Sequence, residues 1–218
     1  PEEKDAYFLR GSAELELGDY ESAKADFDQA ISMDPKNYDR LIEIYEALAA
    51  HGYREVGQEY LQNVLDTAKQ LDAYDSGRIY YYLGEYQKAY LALDEARDKG
   101  GADSYLYLGR AYAATGDYNY ASSVYNNYLS KQGPNAEIYN ELGLCEMAKK
   151  EYQNALAAFQ AGKQIEGNSL MQTLCFNEIV AYEYLEDYQQ AEVLMNAYLQ
   201  NYPDDQTAIR EQQFLSTR

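Results

Sequence analysis

A short turn signal recurs along this chain at a nearly fixed interval, and that interval constrains the fold more than any other feature. Gly116-Asp117-Tyr118 separates two apolar-periodic stretches, one holding Gly109 and Tyr112, the other Ala121, Tyr125 and Tyr128. Glycine suits the left-handed residue that ends a helix, and aspartate caps the next one. The pattern returns as Gly18-Asp19-Tyr20, Gly84-Glu85-Tyr86, Lys150-Glu151-Tyr152 and Glu186-Asp187-Tyr188. Tyrosines 20, 86, 118, 152 and 188 are 66, 32, 34 and 36 residues apart, so a degenerate copy belongs near Gly52-Tyr53. A period near 34 residues of helix–turn–helix units predicts a repeat array in which each unit packs on its neighbours.

The expected fold is therefore all-α. The chain reads as one domain over 1–218, a right-handed superhelix of six hairpins over 4–37, 38–70, 71–102, 103–136, 137–169 and 170–203. A capping helix over 204–216 follows, started by Asp204 or Asp205. Asp5 to Leu17 is the first A helix, and Asn135 is a candidate cap after the Gly133-Pro134 turn. The boundary between the second and third hairpins falls near Gln70–Asp72, where no proline marks it.

Hydrophobic residues make up 46% of the 218, enough for a continuous core between stacked helices, and four prolines with 14 glycines argue against disorder. The 37 acidic residues outnumber the 18 basic ones, a net charge of −19. Such a surface repels nucleic-acid phosphates and anionic lipid. No run of about 18 apolar residues marks a membrane span. Cys145 and Cys175 lie in apolar helical patterns and read as small core residues. The chain opens Pro1-Glu2-Glu3, so a signal or lipid anchor upstream of it is compatible with an exported protein, and its absence with a cytoplasmic one.

The small-residue pairs Gly11/Ala23, Gly77/Ala89, Gly109/Ala121 and Gly143/Ala155, the Gly-Asp-Tyr turns, Phe27, Phe159, Pro35 and Pro203 together resemble the tetratricopeptide repeat family over nearly the whole length. A glycine opposite an alanine lets two helix axes approach closely. The second repeat departs from the pattern, with Tyr45 at the glycine site and Gly57 at the alanine site, which reads as a swap of large and small. In the sixth, Ile179 faces Ala191 without such compensation, which predicts a splayed hairpin.

The resemblance implies binding rather than catalysis. The single histidine, His51, borders a turn and reads as solvated, and neither cysteine accompanies it. Asp72, Asp75 and Gly77 match only the start of a calcium loop, whose other ligand positions are missing, so neither a metal nor a cofactor is expected. Asp94/Asp98 and Glu183/Glu186 read as solvated carboxylates.

Of 26 tyrosines, 14 fill core or hairpin sites of the repeat; Tyr74, Tyr81, Tyr82, Tyr107 and Tyr184 fall on the A-helix face that lines the concave groove in the family. Tyrosine there reads either as interface or as a general large residue. Arg78 and Arg110 occupy one site in consecutive repeats on the same face. Two stacked guanidinium groups would grip a partner's carboxylate, or else pair internally with Asp75, Asp103 or Glu141. The groove sites corresponding to the family's chaperone-tail clamp hold Phe8, Ser12 and Glu43, so that clamp is absent. The leading expectation is a non-enzymatic scaffold that holds a peptide or protein surface, with an acidic end, in the groove of repeats two to four. Self-association as a homodimer or packing within a larger protein, and carbohydrate or small-ligand binding, are the alternatives.

Overall fold

The computed structural model describes residues 2–218, with side chains from Asp5 onward. Thirteen α-helices and no strand occur among the described residues. Six consecutive pairs form: α1 (Glu2–Glu16) with α2 (Tyr20–Met33), α3 (Tyr38–Ala50) with α4 (Arg54–Thr67), and α5 (Ala73–Tyr82) with α6 (Tyr86–Asp98). Then come α7 (Ser104–Ala114) with α8 (Tyr118–Gln132), α9 (Ala136–Ala148) with α10 (Tyr152–Lys163), and α11 (Met171–Tyr184) with α12 (Tyr188–Asn201); α13 (Gln206–Leu215) follows. The chain divides into two compact units, Pro1–Ala96 and Arg97–Arg218.

One hydrogen-bond pattern closes every hairpin. Asp19, Tyr53, Glu85, Asp117, Glu151 and Asp187 each donate a backbone N–H to the carbonyl five residues back, at 2.8–3.0 Å. This is the Schellman closure, which needs a left-handed residue just before the donor. Gly18, Gly52, Gly84 and Gly116 supply it at φ near +80°, but Lys150 (φ +64°) and Glu186 (φ +61°) adopt it without a glycine's freedom. The acidic residue then starts the second helix. Asp19, Asp117 and Asp187 accept from the backbone N–H three residues on, while the longer Glu151 makes no such cap.

Inside the first, third, fourth and fifth hairpins the A-helix glycine faces a large B-helix side chain one turn beyond the alanine. A Cβ on Gly11 would lie 2.8 Å from Phe27 Cε1 and 3.1 Å from the Ala23 carbonyl oxygen. Gly77, Gly109 and Gly143 meet Leu93, Tyr125 and Phe159 in the same way. Leu93, Tyr125 and Phe159 are fully buried. Burying a side chain of this size stabilises by roughly 1.5–3 kcal/mol. In the second hairpin the roles exchange, since Gly57 faces Tyr45. In the sixth, Ile179 stands where the other hairpins have glycine, fully buried Met195 takes the large position, and its flexible thioether packs in one cluster with Ile179 and Ala191.

Boundaries shift modestly from expectation. The first helix is Glu2–Glu16, and the unmarked junction resolves as α4 ending at Thr67 and Asp72 capping α5 through Asp75 N–H at 2.8 Å. Asn135 caps α9 through Ile138 N–H, and Asp205 caps α13 through Thr207 and Ala208. No helix among the described residues is long and apolar enough to cross a membrane.

Candidate functional site

In the first unit, α1, α3 and α5 are laced by polar contacts across one face. Arg40 on α3 reaches back to Asp5 on α1 at 2.7 Å and along its own helix to Glu43 at 3.0 Å, while its guanidinium lies 4.1 Å from the centre of the Phe8 ring. Arg78 on α5 bridges Asp39 on α3 and Asp75 on α5, over the Tyr74 ring at 4.4 Å. The Tyr82 hydroxyl donates to Glu46 on α3 at 2.6 Å, and the Tyr82 ring packs edge-on against Tyr81 at 5.2 Å. Tyr45 lies 5.1 Å from Tyr82 as well.

The helical period places these groups together. Asp39, Arg40, Glu43 and Glu46 lie within two turns of α3, and Tyr74, Asp75, Arg78, Tyr81 and Tyr82 repeat at the three- and four-residue spacing of one stripe on α5. Arg78 is only 6% exposed, a correction to the expectation that it faces an open groove. Burial disfavours its charge, but the hydrogen bonds to Asp39 and Asp75 outweigh this and hold its pKa above the ordinary guanidinium value. Burial also pushes the Asp75 carboxyl up, against the pull of Arg78.

In the second unit, Arg110 on α7 makes the equivalent reach forward to α9, pairing with Glu137 at 3.0 Å and Glu141 at 2.7 Å. Its guanidinium lies 5.6 Å from the centre of the Tyr107 ring. Burial again opposes the charge, and Glu141 with Glu137 raises the pKa regardless. Of the two roles expected for these arginines, internal pairing is the one the geometry displays. Asp75 and Glu141 are among the partners expected from the sequence; Asp39 and Glu137 are not. Asp103 instead precedes α7 and makes no side-chain cap.

Tyr184 is separate from this cluster. It ends α11, is 57% exposed, and stacks on Tyr152 at 4.9 Å. The same turn-side stacking joins Tyr20 to Tyr53 at 4.1 Å. The structure thus gathers Tyr74, Arg78, Tyr81 and Tyr82 in the first unit, and Tyr107 with Arg110 in the second.

The groups considered for chemistry are tied into the scaffold. His51, expected to be solvated, is half-buried: Nδ1 lies 2.9 Å from the Ala47 carbonyl oxygen and Nε2 3.5 Å from Glu16. Cys145 is buried, which pushes its thiol up to about 12. Glu183 meets Glu211 of α13 rather than acting with Glu186.

Models of the tetratricopeptide repeat match residues 4–37, 74–121 and 108–168, more than half of the length. The chain belongs to the tetratricopeptide repeat family. The matched stretches pass over 38–73 and 169–218, where the Tyr45–Gly57 exchange and the Ile179–Met195 pair alter the packing signature of the repeat. Among solved tetratricopeptide repeat structures, the chain is similar to PilW, a widely conserved type IV pilus biogenesis factor. The identity is 17% over 99% of both chains, with a TM-score of 0.67. It is also similar to TTC0263, a thermophilic protein of Thermus thermophilus, at 15% identity over 99% of this chain and 100% of that one, TM-score 0.60. YrrB, described as having an unusual peptide-binding site, matches at 18% identity over 86% of this chain and 97% of its own, TM-score 0.56. At these identities the likeness shows a shared all-α solenoid-class fold. Comparison with curated protein sequences returned no match.

Proposed function

We propose that this tetratricopeptide repeat chain is a non-enzymatic scaffold that holds a segment of another protein on its A-helix faces. The observation that carries this reading is the construction of the first unit's face. Arginine is held behind it, while carboxylates and tyrosine rings from three A helices lie across its front. Tyrosine offers large contact area with few torsions to fix and a polar tip, which suits a recognition surface. The proposed contact residues are Tyr74, Tyr81 and Tyr82 in one unit and Tyr107 and Tyr184 in the other, with Arg78 and Arg110 as positioning residues. YrrB, a structure of this fold described as having an unusual peptide-binding site, supports this reading. The non-enzymatic part of the reading is supported by His51 and Cys145, whose side chains serve the packing. On charge grounds the partner is neither nucleic acid nor an anionic membrane surface.

The test is selection from a displayed random-peptide library on the folded chain, followed by hydrogen exchange with a synthesised winner. Protection along α3 and α5, or along α7 and α9, supports the scaffold reading. Protection of the B helices α2, α4, α8 and α10, or no enrichment, overturns it.

A further inference from the structure

Resting on that reading, the charge layout of the first unit decides what kind of segment fits it. The unit carries 21 acidic and nine basic residues, a balance of −12. On the α1–α3–α5 face, Asp5, Asp39, Glu43, Glu46 and Asp75 stand against Arg40 and Arg78. The signs are also layered by depth. The Arg78 side chain is 7% exposed and Arg40 21%, whereas Asp39 is 76%, Glu43 51% and Asp5 48% exposed. Arg40 lies behind Asp5 and Glu43, and Arg78 lies behind Asp39, while Asp75, at 18% exposure, is recessed beside Arg78; an arriving molecule meets Asp5, Asp39 and Glu43 first.

This arrangement disfavours the acidic-ended partner expected from two stacked arginines. A carboxylate approaching Arg78 would have to displace Asp39 and pass between exposed acids of its own sign, and like-charge juxtaposition at an interface costs several kcal/mol. A second copy is disfavoured for the same reason, because the same face would meet another of identical charge. Beside the carboxylates lie Tyr81 and Tyr82, a T-shaped pair on the last turn of α5. Their rings give a surface on which aliphatic side chains and cations both pack.

We propose that the α1–α3–α5 face receives a basic amphipathic segment. Its lysine or arginine side chains pair with Asp39, Glu43 and Glu46, and its apolar side chains rest on the Tyr81 and Tyr82 rings. Arg40 and Arg78 are positioning residues: they hold the carboxylates in place and contribute no direct contact to the partner.

The probe is the same random-peptide library, read now for composition. Enriched sequences should interleave lysine or arginine with apolar residues, and their binding should weaken steeply with added salt. The triple variant Asp39→Asn, Glu43→Gln, Glu46→Gln is nearly isosteric, and circular dichroism checks its fold. It should bind a winning peptide at least about tenfold more weakly, since charge pairs across an interface are being removed. Glu43→Gln alone, at an exposed side chain, should show a smaller loss in the same direction. Enriched peptides that are acidic or uncharged, or protection confined to the second unit, would overturn this proposal and leave the scaffold reading standing. Undiminished binding by the folded triple variant would overturn it too. An absence of enrichment sinks both.

Discussion

Tyr45 occupies the space that Gly57 leaves open: a Cβ on Gly57 would lie 2.9 Å from Tyr45 Cδ2 and 3.1 Å from Tyr45 Cα. The second contact is with backbone, so the clash is not relieved by turning the ring. Gly57→Leu should therefore cost about 1–3 kcal/mol, the usual range for overpacking a filled site. A lowered melting midpoint checks this, and an unchanged one would show that α3 and α4 pack in a different register.

Gly109 and Tyr125 form the equivalent contact in the second unit, where the Tyr125 ring crosses the glycine and its hydroxyl reaches the Leu106 carbonyl at 3.5 Å. The clash at Gly109 thus comes from Tyr125, one turn beyond Ala121. Gly109→Ala should cost roughly 1–3 kcal/mol alone. Combined with Tyr125→Leu, the loss should be less than additive, because the smaller side chain makes room for the new methyl group. An additive double-mutant cycle by denaturant unfolding would refute the contact.

Lys150 and Glu186 hold left-handed backbone where four other hairpins have glycine. The penalty for a side chain there exceeds the extra entropy that glycine loses on folding. Lys150→Gly and Glu186→Gly should each stabilise the protein by about 0.5–1 kcal/mol. Calorimetry of the two single variants and the double should show midpoints rising in step.

Glu183 on α11 carries a buried oxygen and faces Glu211 on α13. Burial first, then the charge and proximity of the Glu211 carboxyl, push its pKa from 4.5 up to about 7. The folded protein therefore keeps a proton that the unfolded chain releases, and stability falls as pH rises from about 4.5 to about 7, with the full cost present above that window. Glu183→Gln removes this cost. Allowing for partial solvent exposure, the variant should gain roughly 1 kcal/mol over wild type at alkaline pH and little at acid pH. Melting curves across pH check both ends, and a difference independent of pH would exclude the linkage.

Removing Arg78 strands Asp75 and leaves Asp39 without its partner on α5. Because Asp39 is well exposed, Arg78→Ala should cost about 2–3 kcal/mol, below the range for breaking a fully buried pair. Lowered stability with retained affinity for a basic peptide would identify Arg78 as a brace. Lost affinity at unchanged stability would make it a direct contact.

The sequence by itself determined the repeat and its hairpins. Glycine before an acidic residue, followed by alanine at fixed spacing, reports local backbone conformation and close helix approach, both of which act within a few residues or one hairpin. For the same reason Asn135 was legible as a helix cap, the last cap was narrowed to Asp204 or Asp205, and the Tyr45–Gly57 exchange was legible as a trade of volume. Only the tertiary structure decided how the charged face is wired. Periodicity placed Arg78 and Arg110 on one stripe, but Arg78 turns back to Asp39, 39 residues earlier, while Arg110 turns forward to Glu137 and Glu141. Equivalent positions in a repeat share a face, yet a long flexible side chain goes to whichever neighbouring carboxylate lets it keep its charge when it loses water. That choice depends on the distance between helices from different repeats. In the first unit it leaves Arg78 recessed behind the exposed Asp39, which is why the partner proposed for that face is basic where the stripe of arginines suggested an acidic one.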